Sequence, residues 1–107
     1  ADKFGDTDML VRTMEQGRDL AGVMADNSCM LMRGHGAVVA GRTLEEAVTT
    51  AIYLQVNAKV LAAALHYGTP KGLSDGEIER SRETQFSSLA LDRAWEYFCT
   101  RAGVETV

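Results

Sequence analysis

The first forty residues combine one helical pattern with two short apolar runs. Apolar residues at three- and four-residue spacing predict a helix over about 7–25, behind the cap-type side chains of Asp6-Thr7-Asp8. Two apolar runs follow, over 29–33 and 37–40, and turn residues bound each of them, which predicts two buried strands. Gly34-His35-Gly36 separates the runs and predicts the turn of a hairpin.

The longest helical pattern begins at Thr43, where Thr43-Leu44-Glu45-Glu46 matches a capping box. Apolar spacing then continues to about Tyr67 and predicts one long helix. Its core-facing stripe is Leu44, Ala47, Val48, Ala51, Leu54, Ala58, Leu61 and Leu65. Further apolar positions widen this stripe beyond one face, so the helix is expected to pack against several neighbours, another subunit included.

Two more helices are predicted in the C-terminal third. Ser74-Asp75-Gly76-Glu77 repeats the capping-box pattern and predicts a polar helix to about Glu83. Apolar spacing from Leu89 predicts a last helix that ends near Gly103. The elements make the fold class α/β. Because two strands do not form a stable sheet alone, they are expected to join strands that this chain lacks.

Composition and charge narrow the class of partner. The chain has 107 residues, of which 46% are hydrophobic and 24% charged, as in an ordinary soluble domain. A net charge of −4 argues against nucleic acid and against a membrane surface. No apolar run approaches the ~20 residues that are needed to cross a bilayer. Cys29 and Cys99 are expected to be reduced and partly buried, which suits a cytoplasmic protein.

His35 is the candidate metal ligand. The flanking glycines leave its imidazole uncrowded, and neutral imidazole is the commonest protein ligand of transition metals. One ligand is not enough for a metal site. The alternative is a turn residue that hydrogen-bonds to backbone.

The residues around His35 resemble the class II aldolase/adducin family. Met32-Arg33-Gly34-His35-Gly36, followed by Val38 to Ala47, carries the resemblance, which extends from about Phe4 to about Ile78. The family includes sugar-phosphate aldolases, a pentose-phosphate epimerase and decarboxylases of aromatic or keto acids. Residues 1–107 resemble the C-terminal half of a member. They are expected to form one partial domain, without its N-terminal portion, of an α/β/α sandwich around a largely antiparallel sheet.

The resemblance implies a lyase that cleaves a carbon–carbon bond next to a carbonyl, by retro-aldol cleavage or decarboxylation. A divalent metal ion would stabilise the resulting enolate as a Lewis acid. His35 matches the third histidine ligand of the family; zinc is the expected ion, with manganese, magnesium or cobalt as alternatives. The other two ligands come from a His-x-His pair, which this sequence lacks, since its only other histidine is His66. The expected substrate is a small hydroxy or keto acid or a sugar phosphate, bound in a homotetramer between subunits.

Three further residues are candidates for the site. Arg33, two residues before His35, is a candidate for binding a substrate carboxylate or phosphate, or else pairs with a surface acid. C-terminal residues of the family reach a site shared with a neighbouring subunit. This makes Arg82 a candidate for binding an acid group and Tyr97 a candidate for donating a proton. The alternative for both is a helix with aromatic core contacts and a charged outer face.

Two other functions stay open. One is a non-catalytic assembly module, as in the adducin branch of the family, against which the retention of His35 argues. The other is a fragment that is inactive without its N-terminal half. Within the lyases, the ending from Arg93 to Gly103 is more similar to decarboxylase-type members than to the short sugar-phosphate aldolases.

Overall fold

The computed structural model describes residues 3–105, which contain four helices and one two-stranded sheet. Their order is α1 (Met14–Met24), β1 (Cys29–Met32), β2 (Gly36–Val39), α2 (Leu44–Leu65), α3 (Asp75–Gln85) and α4 (Ser88–Ala102). The chain divides after Ala40 into two compact units. The mixture of helices with a small antiparallel sheet agrees with the predicted α/β class. The larger sandwich stays a prediction.

The first helix starts at Met14 because Thr13 caps it. Gln16 N–H donates to Thr13 Oγ1 at 3.2 Å, and Thr13 N–H donates to Gln16 Oε1 at 3.1 Å, which completes a capping box. Thr7 and Asp8 instead accept hydrogen bonds from the backbone N–H groups two residues further on, at 3.1 and 3.2 Å. Such local bonds compete with helix formation. The prediction that the helix begins near Thr7 was therefore wrong.

β1 and β2 form the predicted antiparallel hairpin. Cys29 lies opposite Val39, and Met32 lies opposite Gly36. Arg33 follows the end of β1 and belongs to the turn, so its predicted place at the end of the strand was wrong. Among the described residues of the first unit, no side chain is fully buried.

The second unit begins with a half-formed capping box. Glu46 N–H donates to Thr43 Oγ1 at 3.1 Å, as predicted for the start of α2. The Glu46 carboxylate does not reach back to the cap and pairs with Arg42 Nε at 3.1 Å. The acids of the first turn still lie at the positive end of the helix dipole.

The core of the second unit lies where the N-terminal half of α2 packs on α4. Thr49 of α2 and Cys99 of α4, a free thiol as predicted, are the buried side chains in the part of this unit that the structure describes. By contrast, every residue of α2 from Gln55 to Ala63 is exposed, and Leu61 is 52% exposed. Within the predicted core-facing stripe only Ala47, Val48 and Leu54 are half-buried, and the other five residues are exposed.

Within residues 3–105, α2 alone is long and apolar enough to cross a membrane. The expectation that no apolar run approaches this length did not anticipate α2, whose apolar residues are interrupted by polar ones such as Gln55, Asn57 and Lys59. Core helices of soluble proteins and signal sequences pass the same test of length and composition. The length and apolar composition of α2 alone do not show whether it contacts a membrane or another protein.

The capping box of α3 makes the stability of the second unit depend on pH. Ser74 N–H donates to Glu77 Oε2 at 2.8 Å, and Glu77 N–H donates to Ser74 Oγ at 3.3 Å. Hydrogen bonds from the backbone and then the side chain of Ser74 lower the pKa of Glu77. Because the folded pKa lies below the unfolded one, the stabilisation is complete above the unfolded pKa and is lost as pH falls through the folded pKa.

We therefore expect NMR titration to place the pKa of Glu77 below the ordinary glutamate value of about 4.3. The Glu77→Gln variant keeps an acceptor but has no carboxylate to titrate. The difference in unfolding free energy between the wild type and this variant should shrink as pH falls from the ordinary glutamate pKa through the lowered pKa of Glu77. A pKa of Glu77 at or above the ordinary value would contradict the capping role.

Candidate functional site

His35 lies in the tight turn that joins β1 to β2. Its N–H donates to Met32 C=O at 3.2 Å and closes the four-residue turn Met32–His35. Gly34, the third residue of the turn, has a φ of +69°, a conformation that favours glycine. A Cβ on Gly34 would also lie 2.9 Å from Met9 Sδ. Glycine is thus favoured by the backbone of the turn, whereas the flexible Met9 side chain could move away from an added Cβ.

The His35 side chain is exposed and takes no part in the hydrogen bonds or ion pairs found in residues 3–105. The turn is held by the backbone N–H, so both ring nitrogens stay available to an external group. In the same part of the chain, no group of three or more histidine, cysteine, aspartate or glutamate residues could hold a metal ion. These residues alone do not fit a metal ion, and the role of His35 as a ligand stays a prediction.

A cavity of about 660 Å³ opens in the first unit beside the hairpin. Its walls are β1 with the first residues of the turn, one face of α1, and the irregular chain before α1. Most of the lining is apolar, with Met9, Leu20 and Met30 among the contributing side chains. Arg33 lines the cavity, whereas His35 does not.

Of three cationic side chains around this cavity, two form ion pairs within residues 3–105 and one does not. Lys3 Nζ lies 2.8 Å from Asp19 Oδ1, and the hydrogen bond and charge of Asp19 raise the pKa of Lys3. Arg12 pairs with Asp8 at 2.6 Å. Arg33 is exposed and belongs to none of the ion pairs in the described chain. Its guanidinium is therefore available to an anion from outside, and no acid within residues 3–105 takes the role of the surface partner that was the predicted alternative.

Arg82 and Tyr97 belong to the second unit, on α3 and α4. Arg82 is exposed near the end of α3. Tyr97 is 55% exposed, and its hydroxyl accepts a hydrogen bond from Arg101 Nη1 at 3.1 Å. The Tyr97 ring meets Phe98 edge to face, with centroids 5.7 Å apart. No hydrogen bond joins Arg82 to Tyr97 within residues 3–105.

Two features of the first unit had no predicted counterpart. One is the contact between Met9 and Gly34, which joins residues 25 positions apart. The other is the cavity itself, whose walls come from three separate segments. The Thr13-x-x-Gln16 spacing is a sequence signal that locates the start of α1, and hence one wall. Nothing in the sequence signals the approach of Met9.

Comparison with known families matches residues 3–62 to the sequence model described as the class II aldolase and adducin N-terminal domain. The matched stretch contains α1, both strands, the His35 turn and most of α2. It stops at residue 62, whereas the resemblance was expected to reach about Ile78, and it includes neither Arg82 nor Tyr97. No curated protein and no solved structure gives a match.

Proposed function

Because the chain belongs to the class II aldolase and adducin family, we propose that it forms part of a divalent-metal-dependent lyase. The reaction is the cleavage of a carbon–carbon bond next to a carbonyl, by retro-aldol cleavage or decarboxylation. The substrate is a small hydroxy acid, keto acid or sugar phosphate. The observation that carries this proposal is His35, an exposed imidazole without a side-chain partner in residues 3–105, on a glycine-bounded turn within the matched stretch.

His35 would hold the ion together with two imidazoles from a companion polypeptide segment that carries a His-x-His pair. When bound, the ion, with zinc as the first candidate, supplies Lewis-acid stabilisation of the enolate charge. The turn's backbone hydrogen bond limits where the His35 ring can lie relative to β1. That restriction lowers the entropic cost of ordering the ligand when the ion binds.

Three arginine and tyrosine side chains have roles in this proposal. The guanidinium of Arg33, which forms no ion pair within residues 3–105, binds the carboxylate or phosphate of the substrate, and the exposed Arg82 is a second candidate for the same task. Tyr97 donates a proton. Its hydroxyl oxygen accepts the hydrogen bond from Arg101, so its own proton remains free for another group.

The second candidate is a non-catalytic assembly module of the adducin kind. The observation in its favour is the exposure of the second half of α2, where every residue from Gln55 to Ala63 is exposed. Both candidates are compatible with a cytoplasmic homo-oligomer, and a homotetramer is the expected form. The lyase and the assembly module differ in whether His35 binds a metal ion.

Intact mass and metal content of the native, unfractionated protein distinguish these functions. For the lyase we expect a species larger than 11.6 kDa, or a co-purifying companion fragment, with about one divalent ion per His35. Protein treated with a chelator and dialysed serves as the control, and re-addition of zinc should restore the stoichiometry. A folded 11.6 kDa species that takes up no metal would instead support the assembly module or an inactive fragment.

A further inference from the structure

Three methionines line the cavity of the first unit. All five methionines of the chain belong to this unit, and those in the cavity wall are Met9, Met30 and Met32. The thioether sulfur of methionine is an uncharged, polarisable donor, and soft donors of this kind select soft metal ions such as Cu(I). The cavity thus has three soft donors in its wall, a different donor class from the imidazoles of the proposed lyase site.

Met30 and Met32 share one face of β1. Both are half-buried, whereas Leu31 between them is 76% exposed, as expected when successive side chains of a strand point to opposite faces. Two residues of a strand span about 6.6 Å, and each methionine side chain has three rotatable bonds with which to reach a common ion. Gly36 lies opposite Met32 and has no side chain, so β2 leaves space beside the Met32 thioether.

Met9 comes from the irregular chain before α1 and reaches the same end of the strand. Its sulfur lies 2.9 Å from the place that a Cβ on Gly34 would occupy, and Gly34 follows Met32 by two residues. The φ of Met9 is +61°, a backbone conformation that residues other than glycine rarely adopt. Backbone strain of this kind is concentrated at binding and catalytic sites.

Packing alone does not account for the three thioethers. Methionine is a common filler of apolar cores, but no described side chain of the first unit is fully buried, and Met9 is 48% exposed. A cavity of about 660 Å³ remains open beside the three side chains. Their sulfur atoms therefore belong to the wall of an open space that a ligand can enter.

We propose that Met9, Met30 and Met32 together bind one Cu(I) ion in this cavity. Three thioethers bring no negative charge, so they favour a singly charged soft ion over zinc or magnesium. This site is independent of the lyase proposed above, because His35 does not line the cavity and the three ligands all come from the described chain.

The charges around the cavity suit an ion of low charge. Asp6, Asp19 and Arg33 line it, and Lys3 pairs with Asp19 at 2.8 Å. The two carboxylates thus balance the two cationic groups. A divalent ion would add two uncompensated charges to this balanced wall, whereas Cu(I) adds one.

NMR of the native protein, with ¹³C in the methionine methyl groups, tests the proposal. The probes are Ag(I), which has the charge and softness of Cu(I) without its air oxidation, and then Cu(I) with ascorbate under anaerobic conditions. The methyl signals of the three cavity methionines should shift together and saturate at about one ion per chain. Those of Met14 and Met24, which do not line the cavity, should not shift.

The per-methionine readout separates this site from the two free thiols, because binding at Cys29 or Cys99 does not move the three methyl signals together. Shifts of a single cavity methionine, equal shifts of all five methionines or no shift at all would each overturn the proposal. Zinc added at the same concentration should leave the methyl signals unchanged.

A matched pair of variants removes one sulfur inside the cavity and one outside it. Met32→Leu keeps the size and apolar character of the side chain but not the donor atom, and Met30→Leu repeats the test at a second ligand. Loss of a supporting partner of a metal ligand already costs about 10–100-fold, so each variant should bind Ag(I) at least about tenfold more weakly. The control is Met14→Leu, at a residue that is 72% exposed and outside the cavity.

Equal affinities of Met32→Leu, Met30→Leu and Met14→Leu for Ag(I) would exclude the cavity thioethers as ligands. All three variants should keep the circular dichroism of the wild type. The outcome is distinct from that for the lyase, because His35→Ala should leave Ag(I) binding and the methyl shifts intact. Loss of both in His35→Ala would overturn the set of three thioether ligands.

Discussion

Replacing His35 by alanine is expected to remove metal binding and lyase activity from the protein that carries the companion segment. In the proposed site the ion has three imidazole ligands, and this chain supplies one of them. Loss of a supporting partner of such a ligand already costs about 10–100-fold in metal affinity, so loss of the ligand itself should cost at least a hundredfold. The effect is expected to be local, because alanine keeps the backbone N–H that closes the turn onto Met32.

The measurement is zinc titration of the metal-free complex, with activity followed on the same samples. His66→Ala is the matched control, since it removes the chain's other histidine at the C-cap of α2. That control should bind zinc as the wild type does, and both variants should have the circular dichroism of the wild type. An unchanged zinc stoichiometry and affinity in His35→Ala would exclude His35 as a ligand.

Replacing Gly41 by alanine is expected to give the largest loss of stability in the second unit. A Cβ at this position would lie 2.6 Å from Ala47 N and 3.0 Å from Ala47 Cα. Both are backbone atoms of the first turns of α2, which cannot rotate aside as a flexible side chain can. Relief requires a shift of the chain entering the helix, and overpacking of this kind costs typically about 1–3 kcal/mol, occasionally more.

Urea unfolding followed by the helical circular dichroism signal measures this loss. Gly76→Ala is the control, because an added Cβ there meets nothing within 4 Å and the residue lies inside α3. Alanine at that helical position should leave the midpoint unchanged or raise it, by up to about 1 kcal/mol in free energy. A Gly41→Ala midpoint equal to that of Gly76→Ala would show that the close approach to Ala47 is not tight in solution.

The start of α1 shows why part of the fold escaped prediction. Asp6-Thr7-Asp8 and Thr13-x-x-Gln16 both supply cap-type residues, but only the second has the spacing of a capping box, a signal that the prediction did not use. In the structure Thr7 and Asp8 bond their own neighbouring backbone, so the first set forms turns instead of a helix start. The chain before α1 is thereby left irregular and becomes a wall of the cavity.

Part of the candidate site could likewise be predicted from the sequence, and part of it could not. The His35 turn could be predicted because glycine, histidine and glycine in succession determine it locally, as the hydrogen bond to Met32 confirms. The environment of Arg33 could not be predicted, because its lack of an ion-pair partner depends on where every acid of the described chain lies. The roles of Arg82 and Tyr97 depend on surfaces outside this chain and stay predictions.

By itself, the sequence determined the elements whose signals are local. Helix caps at Thr43 and Ser74, the left-handed end of α4 at Gly103 and the hairpin at Gly34 all depend on groups within four residues of one another. Only the tertiary structure decided which apolar surfaces are covered. Burial is a property of contacts between distant segments, so the apolar spacing of α2 does not reveal that the polar Thr49 is buried or that residues 55–63 are exposed.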